Sequence, residues 1–133
     1  MLDKPGVYVV DSIEAKRIAK ECRRGGWLVI FLPEGIASKD QFYDAIRRNC
    51  PLVPPLHSNR SWDALADSLW SGLDEAQEEK IAIFWRNSDH MKAAVPDAFS
   101  IATDIFADLT VSLADPSAVV SRVKMLLIFQ IEN

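Results

Sequence analysis

Three apolar segments constrain the fold of this chain more than any other feature. Trp27–Leu32 and Ile81–Trp85 are apolar at every position, and Val123–Ile131 forms a third hydrophobic run near the C-terminus. A strand without alternating polar residues is typical of a parallel sheet that is covered on both faces. Helical patterns separate the three runs, which favours parallel pairing through right-handed crossovers. We therefore predict an α/β fold with a three-stranded parallel sheet.

The intervening segments contain apolar residues at helical spacing, bounded by capping residues, glycines and prolines. Helices are predicted from Ser12 to about Arg24, Ser38 to about Arg48, Ser61 to about Gly72, Asn87 or Ser88 to before Pro96, and Asp97 to about Leu113. Gly6–Val10 is compatible with a short edge strand and equally with an extended arm. We expect residues 1–25 to be an N-terminal extension within the same unit as a domain spanning residues 26–133.

The helix that begins after Ser61 has two different faces. Its apolar stripe consists of Trp62, Leu65, Leu69 and Leu73. Asp63, Asp67 and Trp70, at spacings i, i+4 and i+7, share a face that points away from this stripe. Like charges four residues apart destabilise an isolated helix by about 0.2–0.5 kcal/mol, which a basic partner would relieve. An ordinary solvated face is the alternative interpretation.

A proline-rich loop precedes this acidic helix. Pro51, Pro54 and Pro55 exclude a helix and stiffen the backbone between Cys50 and Arg60. A preordered loop loses less entropy when it binds a partner. His57, Asn59 and Arg60 are the residues of this loop that we expect to be exposed for binding, although a loop histidine without a role is an equally good interpretation of His57.

The charge of the chain is divided unevenly. Residues 1–48 contain nine Lys and Arg against seven Asp and Glu, whereas residues 49–133 contain six against twelve. A nucleic-acid-binding surface needs clustered positive charge, so the part with the acidic helix is not suited to that function. A basic protein is the better partner. Asp104 and Asp108, on the outer side of the last helix, are candidates to extend the acidic surface, although solvated charge is the simpler interpretation.

The segment from His57 to Leu69 resembles the signature of the barstar family, which are small bacterial inhibitors of barnase-type ribonucleases. The chain retains Trp62-Asp63-Ala64-Leu65, Asp67 and Leu69 of that signature. It departs from the pattern at His57-Ser58, which replace an aromatic pair, and at Asn59 and Ser61, which replace Gly and Asn. The resemblance implies a two-layer fold to which the N-terminal helix is an addition. It also implies a binding surface for a basic ribonuclease, with His57, Asn59, Arg60, Asp63, Ala66, Asp67 and Trp70 as partner-binding residues.

The leading functional hypothesis is therefore a ribonuclease inhibitor that acts as an immunity protein or antitoxin and is not itself an enzyme. A barstar-like interaction or regulatory module without ribonuclease inhibition is the alternative. An enzyme that uses Asp63 and Asp67 is disfavoured, since both acids lie on a convex helix face without a phosphate-binding loop or an activated nucleophile. We expect no cofactor and no metal, because His90 is the only other histidine besides His57.

The remaining expectations concern the state of the protein in the cell. With 133 residues and 49% hydrophobic residues, the chain is long enough for one domain with a proper core. Cys22 and Cys50 lack a paired motif and are predicted to be buried free thiols. Met1–Pro5 lacks the composition of a secretory signal, so we expect a cytoplasmic protein, monomeric when free, that binds neither nucleic acid nor membranes.

Overall fold

The protein is built around one parallel β-sheet, and the computed structural model describes residues 3–132. The elements in chain order are β1 (Gly6–Val10), α1 (Ser12–Arg24), β2 (Leu28–Leu32), α2 (Lys39–Asn49), α3 (Trp62–Glu75), β3 (Lys80–Trp85), α4 (Ser88–Ala94), α5 (Pro96–Ser112) and β4 (Met125–Ile131). Met1, Leu2 and Asn133 lie outside the described residues. The predictions for residues 1–25, for Met1–Pro5 and for residues 26–133 therefore fall in part outside them.

The sheet has four strands, in the order β1-β4-β3-β2. The prediction of three strands is therefore wrong, whereas the α/β class and the parallel pairing are confirmed. The additional strand is β1, which pairs with β4 from Gly6 opposite Leu127 to Val10 opposite Ile131. This pairing occupies backbone groups along the outer edge of β4 that would otherwise have no partner strand.

Both faces of the sheet are covered. Along β3, Ile81, Ile83 and Trp85 pack into the core beneath α2, α3, α4 and α5, whereas Ala82 and Phe84 pack into a second core beneath α1. Successive side chains of a strand point to opposite faces, so a strand that is apolar throughout needs cover on both sides. The sheet and α2 to α5 form two layers, and the N-terminal helix α1, which the resemblance implied to be an addition, covers the other face as a third layer.

The helix boundaries agree with the predictions to within about two residues, except at the end of α3. The sequence predicts that α3 ends at about Gly72, but the helix continues to Glu75. A Cβ atom at Gly72 would lie 2.0 Å from the carbonyl oxygen of Pro51. Gly72 therefore lets the proline-rich loop approach the helix closely, and it does not terminate the helix. Between residues 3 and 132, no helix is both long and apolar enough to cross a membrane.

The C-terminal end of α3 is connected to the sheet by a buried lysine. Lys124 is 3% exposed and immediately precedes β4. Its ammonium group donates hydrogen bonds to the backbone carbonyls of Ala76 and Glu78. Carbonyl groups at the end of a helix lack partners within the helix, so a nearby cation stabilises this end. This contact holds α3 in place relative to β4.

Both cysteines are free and buried, as predicted. Burial raises the pKa of Cys22 to about 11 and that of Cys50 to about 12. Both thiols are therefore protonated at neutral pH, where the nucleophilic thiolate form is scarce.

Candidate functional site

The acidic face of the protein is displayed by α3. The hydroxyl of Ser61 caps this helix by accepting a hydrogen bond of 3.1 Å from the backbone N–H of Ala64. Leu65, Leu69 and Leu73 are fully buried and fix the inner face of the helix against the core. The orientation of the opposite face is set by this packing, because an α-helix is rigid over its length.

Asp63 and Asp67 lie on the outer face of α3, and both are exposed. Within the described part of the chain, neither carboxylate forms an ion pair or accepts a hydrogen bond. Asp63 lies in the first turn, where the positive end of the helix dipole favours an anion by about 0.3–1 kcal/mol. Asp67 lies one turn further along and has no comparable stabilisation. Both carboxylates are therefore free to bind an external cation.

A groove of about 220 Å³ separates α3 from α5. The residues that line it are Asp63, Ala66, Asp67 and Trp70 from α3, and Ile105, Asp108, Leu109 and Ser112 from α5. The groove thus combines three carboxylates with an apolar floor. Asp108, which the sequence left as a candidate for the acidic surface, lines this groove, whereas Asp104 does not.

Trp70 is less available than the helix periodicity indicated. The ring is half-buried, packs against the core, and donates a hydrogen bond of 3.1 Å from its indole Nε1 to the hydroxyl of Ser112. Because Ser112 is the last residue of α5, this bond connects the two walls of the groove. The prediction that Trp70 points away from the core is wrong in this respect, since only part of the ring faces the groove.

The proline-rich loop is fastened to both neighbouring helices. Arg47 of α2 donates one hydrogen bond of 2.8 Å to the carbonyl of Leu56 and another to the side-chain oxygen of Asn59. The backbone N–H of Val53 donates to the carbonyl of Ser68 in α3, at 3.0 Å. A loop held at several points is preordered, as the prolines predicted.

Asn59 has a different environment from the other two loop candidates. His57 and Arg60 are exposed, as expected, but Asn59 is half-buried, so the prediction that it is exposed is wrong. Its amide nitrogen donates a hydrogen bond of 3.0 Å to Asp40, while its amide oxygen accepts from Arg47. Asn59 therefore holds the loop against α2. Asp40 and Arg47 are the residues that sequence reasoning missed, since their relation to the loop depends on tertiary packing.

Replacing Asn59 with alanine is expected to loosen this loop. The substitution removes two side-chain hydrogen bonds, one of them to a guanidinium group, and hydrogen bonds of this kind contribute about 1.5–3 kcal/mol. Because the site is half-buried, we expect a loss of about 1–2 kcal/mol in the free energy of unfolding, measured by urea denaturation. His57→Ala, in the same loop, is the control, because His57 is exposed and makes no hydrogen bond or ion pair among the described residues. Equal stability of Asn59→Ala and the parent would contradict the anchoring role.

The site contains no recognisable metal centre. Between residues 3 and 132, there is no group of three or more His, Cys, Asp and Glu side chains that could hold a metal ion. The site presents the carboxylates of Asp63, Asp67 and Asp108 and the accessible part of the Trp70 ring. The exposed side chains of His57 and Arg60 lie on the neighbouring loop. Such a combination is suited to binding a positively charged surface.

The comparison with known protein families accounts for most of this architecture. Residues 29–124 match the family model described as Barstar (barnase inhibitor). The matched range includes the proline-rich loop, α3 and the groove, and it leaves out β1, α1 and β4. No curated protein and no solved structure shows a significant match. Since the matched range covers well over half of the chain, this protein belongs to the barstar family.

Proposed function

We propose that this protein inhibits a basic bacterial ribonuclease by covering its active site with the acidic groove between α3 and α5. The observation that carries the proposal is the set of three carboxylates, Asp63, Asp67 and Asp108, around one apolar floor. The membership of the barstar family supports the same function. In a cell, such a protein would serve as an immunity protein or antitoxin, which requires no catalytic group and no cofactor.

The physical basis of the proposed inhibition is mimicry of the substrate's charge. A ribonuclease arranges Arg, Lys and His side chains to hold phosphate groups. Carboxylates on a rigid helix are able to occupy those positions through charge-assisted hydrogen bonds, which are about twice as strong as neutral ones. Asp63 and Asp67 have no competing partner in the described structure, so no internal ion pair has to be broken first.

The other predicted partner-binding residues have supporting roles in this proposal. Ala66 and the accessible part of Trp70 provide apolar contact area beside the carboxylates. His57 and Arg60, exposed on the anchored loop, contact the rim of the ribonuclease active site. Asn59 acts indirectly by holding that loop. The free protein is proposed to be a cytoplasmic monomer that binds neither nucleic acid nor membranes.

A second candidate function is that of an interaction or regulatory module that retains the scaffold but binds a partner other than a ribonuclease. Two observations favour it. The first is that His57-Ser58 replace the aromatic pair that the family signature has at this position. The second is that Trp70 is half-buried and hydrogen-bonded to Ser112, so that only part of its ring contributes to the apolar surface. The charge complementarity would then be directed at a different basic protein.

A capture experiment separates these functions. The purified protein is immobilised beside its Asp63→Ala, Asp67→Ala double variant and exposed to lysate and culture medium of the source cells. The matched control is the Asp97→Ala, Asp104→Ala double variant, which loses the same charge from exposed positions outside the groove. Bound material is eluted with salt, which screens interactions between exposed charges, and is assayed for ribonuclease activity.

We expect the parent and the control to retain a basic ribonuclease in an inhibited state, and the Asp63, Asp67 variant to lose it. Retention of a protein without ribonuclease activity by the same two forms would favour the second candidate function. Equal retention by all three forms would show that α3 is not the binding surface.

A further inference from the structure

A second cavity, of about 470 Å³, lies on the other side of the molecule from the acidic groove, between α1 and the carboxyl ends of the strands. Phe31 in β2, Glu34 after β2, and Arg86 and Asn87 after β3 form one part of its wall, and Lys16 and Arg23 of α1 form another. The carboxyl ends of parallel strands are the edge at which open α/β sheets commonly bind ligands. The volume lies in the range of about 300–1,000 Å³ that is typical of small-molecule sites.

The charge of this cavity is opposite to that of the molecule as a whole. Lys16, Arg23 and Arg86 outnumber the single acid Glu34, whereas the chain has a net charge of −4. None of these three cations forms an ion pair or a side-chain hydrogen bond within residues 3–132. Arg17, one position along α1, differs in this respect because it pairs with both Glu14 and Glu21. The cavity therefore brings together three cations whose charge no acidic side chain neutralises in the described structure.

The aromatic ring of Phe31 holds the two guanidinium groups in place. The guanidinium carbon of Arg86 lies 4.6 Å from the centroid of this ring, and that of Arg23 lies 5.4 Å from it. Phe31 is itself stacked on Phe84, with centroids 4.8 Å apart. A guanidinium group on an aromatic ring keeps its N–H groups free to bind an anion, and the contact reduces the conformational freedom of the side chain.

We propose that this cavity binds a small phosphorylated metabolite with a diphosphate group, such as a nucleoside diphosphate. Arg23 and Arg86 would donate paired hydrogen bonds to the phosphate oxygens, for which the planar guanidinium group is well suited. Lys16 adds a third positive charge. Glu34 is placed to accept hydrogen bonds from hydroxyl or amino groups of the rest of the ligand. The cavity exceeds the size of one phosphate, which favours a ligand with a further organic part.

A polymeric nucleic acid fits these observations less well. Lys16, Arg23 and Arg86 line one cavity between α1 and the ends of β2 and β3, and the molecule is acidic overall. Binding of a nucleic acid depends on clustered positive charge along several phosphates. The proposal also assigns a function to α1, which supplies Lys16 and Arg23 and lies before the range that matches the family model.

The test uses inorganic pyrophosphate and ADP as probes, with binding measured by isothermal titration calorimetry at low salt. We expect both probes to bind and to compete for one site. Arg86→Gln and Arg23→Gln are each expected to weaken binding about tenfold or more, because each removes charge-assisted hydrogen bonds. Arg24→Gln, with the same change of charge at the next position of α1, is the matched control and is expected to change the affinity by no more than about twofold.

Several results would overturn the proposal. One is that neither probe binds at millimolar concentration, and another is that Arg24→Gln weakens binding as much as Arg86→Gln does. Tighter binding of a single-stranded RNA oligonucleotide, weakened equally by all three substitutions, would instead indicate a diffuse nucleic-acid surface. The substituted arginines are exposed, so unchanged thermal melting of the variants verifies that the fold is retained. Capture of a ribonuclease by Arg86→Gln is expected to equal that of the parent, which keeps this test independent of the proposed inhibition.

Discussion

Replacing Gly72 with alanine is expected to destabilise the protein by about 2–3 kcal/mol, although alanine is the better helix former. The added methyl carbon would lie 2.0 Å from the carbonyl oxygen of Pro51 and 2.9 Å from the backbone nitrogen of Leu52. Contact with backbone atoms is not relieved by a change of rotamer, so either the loop or the helix has to move. The intrinsic preference for alanine recovers only about 1 kcal/mol.

Displacement of the loop would also affect the candidate site. Val53 donates its backbone N–H to Ser68, one turn before Gly72, and this bond would be strained by the same movement. We therefore expect weaker binding of the captured partner in addition to the loss of stability. Guanidinium denaturation of Gly72→Ala is the measurement, with the neighbouring Ser71→Ala as a control that is expected to remain within about 0.5 kcal/mol of the parent. A variant as stable as the parent would show that helix propensity outweighs the contact with Pro51.

Asp67→Asn is expected to weaken the binding of the ribonuclease by about tenfold to a hundredfold, whereas Asp104→Asn leaves it unchanged. Asparagine preserves the shape of the side chain but removes its charge, so the comparison isolates the electrostatic contribution. Asp67 lines the groove, and Asp104 is exposed on α5 outside it. Asp108→Asn is expected to weaken binding too, since Asp108 faces the same groove from the opposite wall.

Dissociation constants at two salt concentrations measure this effect for the captured ribonuclease. The affinity of the parent is expected to fall as salt is added, and that of Asp67→Asn to fall less steeply, because salt screens exposed charges. Equal affinities for Asp67→Asn and Asp104→Asn would place the binding surface elsewhere and would refute the proposed mechanism.

The family could be recognised from the sequence because its signature lies within one short segment. Trp62-Asp63-Ala64-Leu65, Asp67 and Leu69 occupy less than three turns of one helix, and residues 29–124 match the family. The inner and outer faces of that helix were also predictable, since the period of 3.6 residues places Leu65, Leu69 and Leu73 together. All three are fully buried. Two of the three predicted strands were equally clear from the sequence. A run that is apolar at every position, such as Ile81–Trp85, has to be buried on both faces.

The anchored loop illustrates what local patterns leave undetermined. Its three prolines predicted a rigid segment, but the contacts of Asn59 with Asp40 and Arg47 link residues that are 19 and 12 positions apart. Nothing in the local sequence distinguishes a side chain that binds a partner from one that holds its own loop. Gly72 is a similar case, since a glycine near a helix end indicates termination unless another segment packs against it.

The sequence by itself determined the α/β class, the parallel pairing, the family and the acidic face of α3, because each of these follows from local periodicity or from a local motif. Only the tertiary structure decided that Gly6–Val10 is a fourth strand, that α1 covers the second face of the sheet, and that Asp108 joins Asp63 and Asp67 around one groove. The physical reason is that the strand next to which β1 pairs and the surfaces against which the helices pack belong to residues far apart in the chain. Which strand and which helix become neighbours depends on the surfaces that remain uncovered after the other elements have packed.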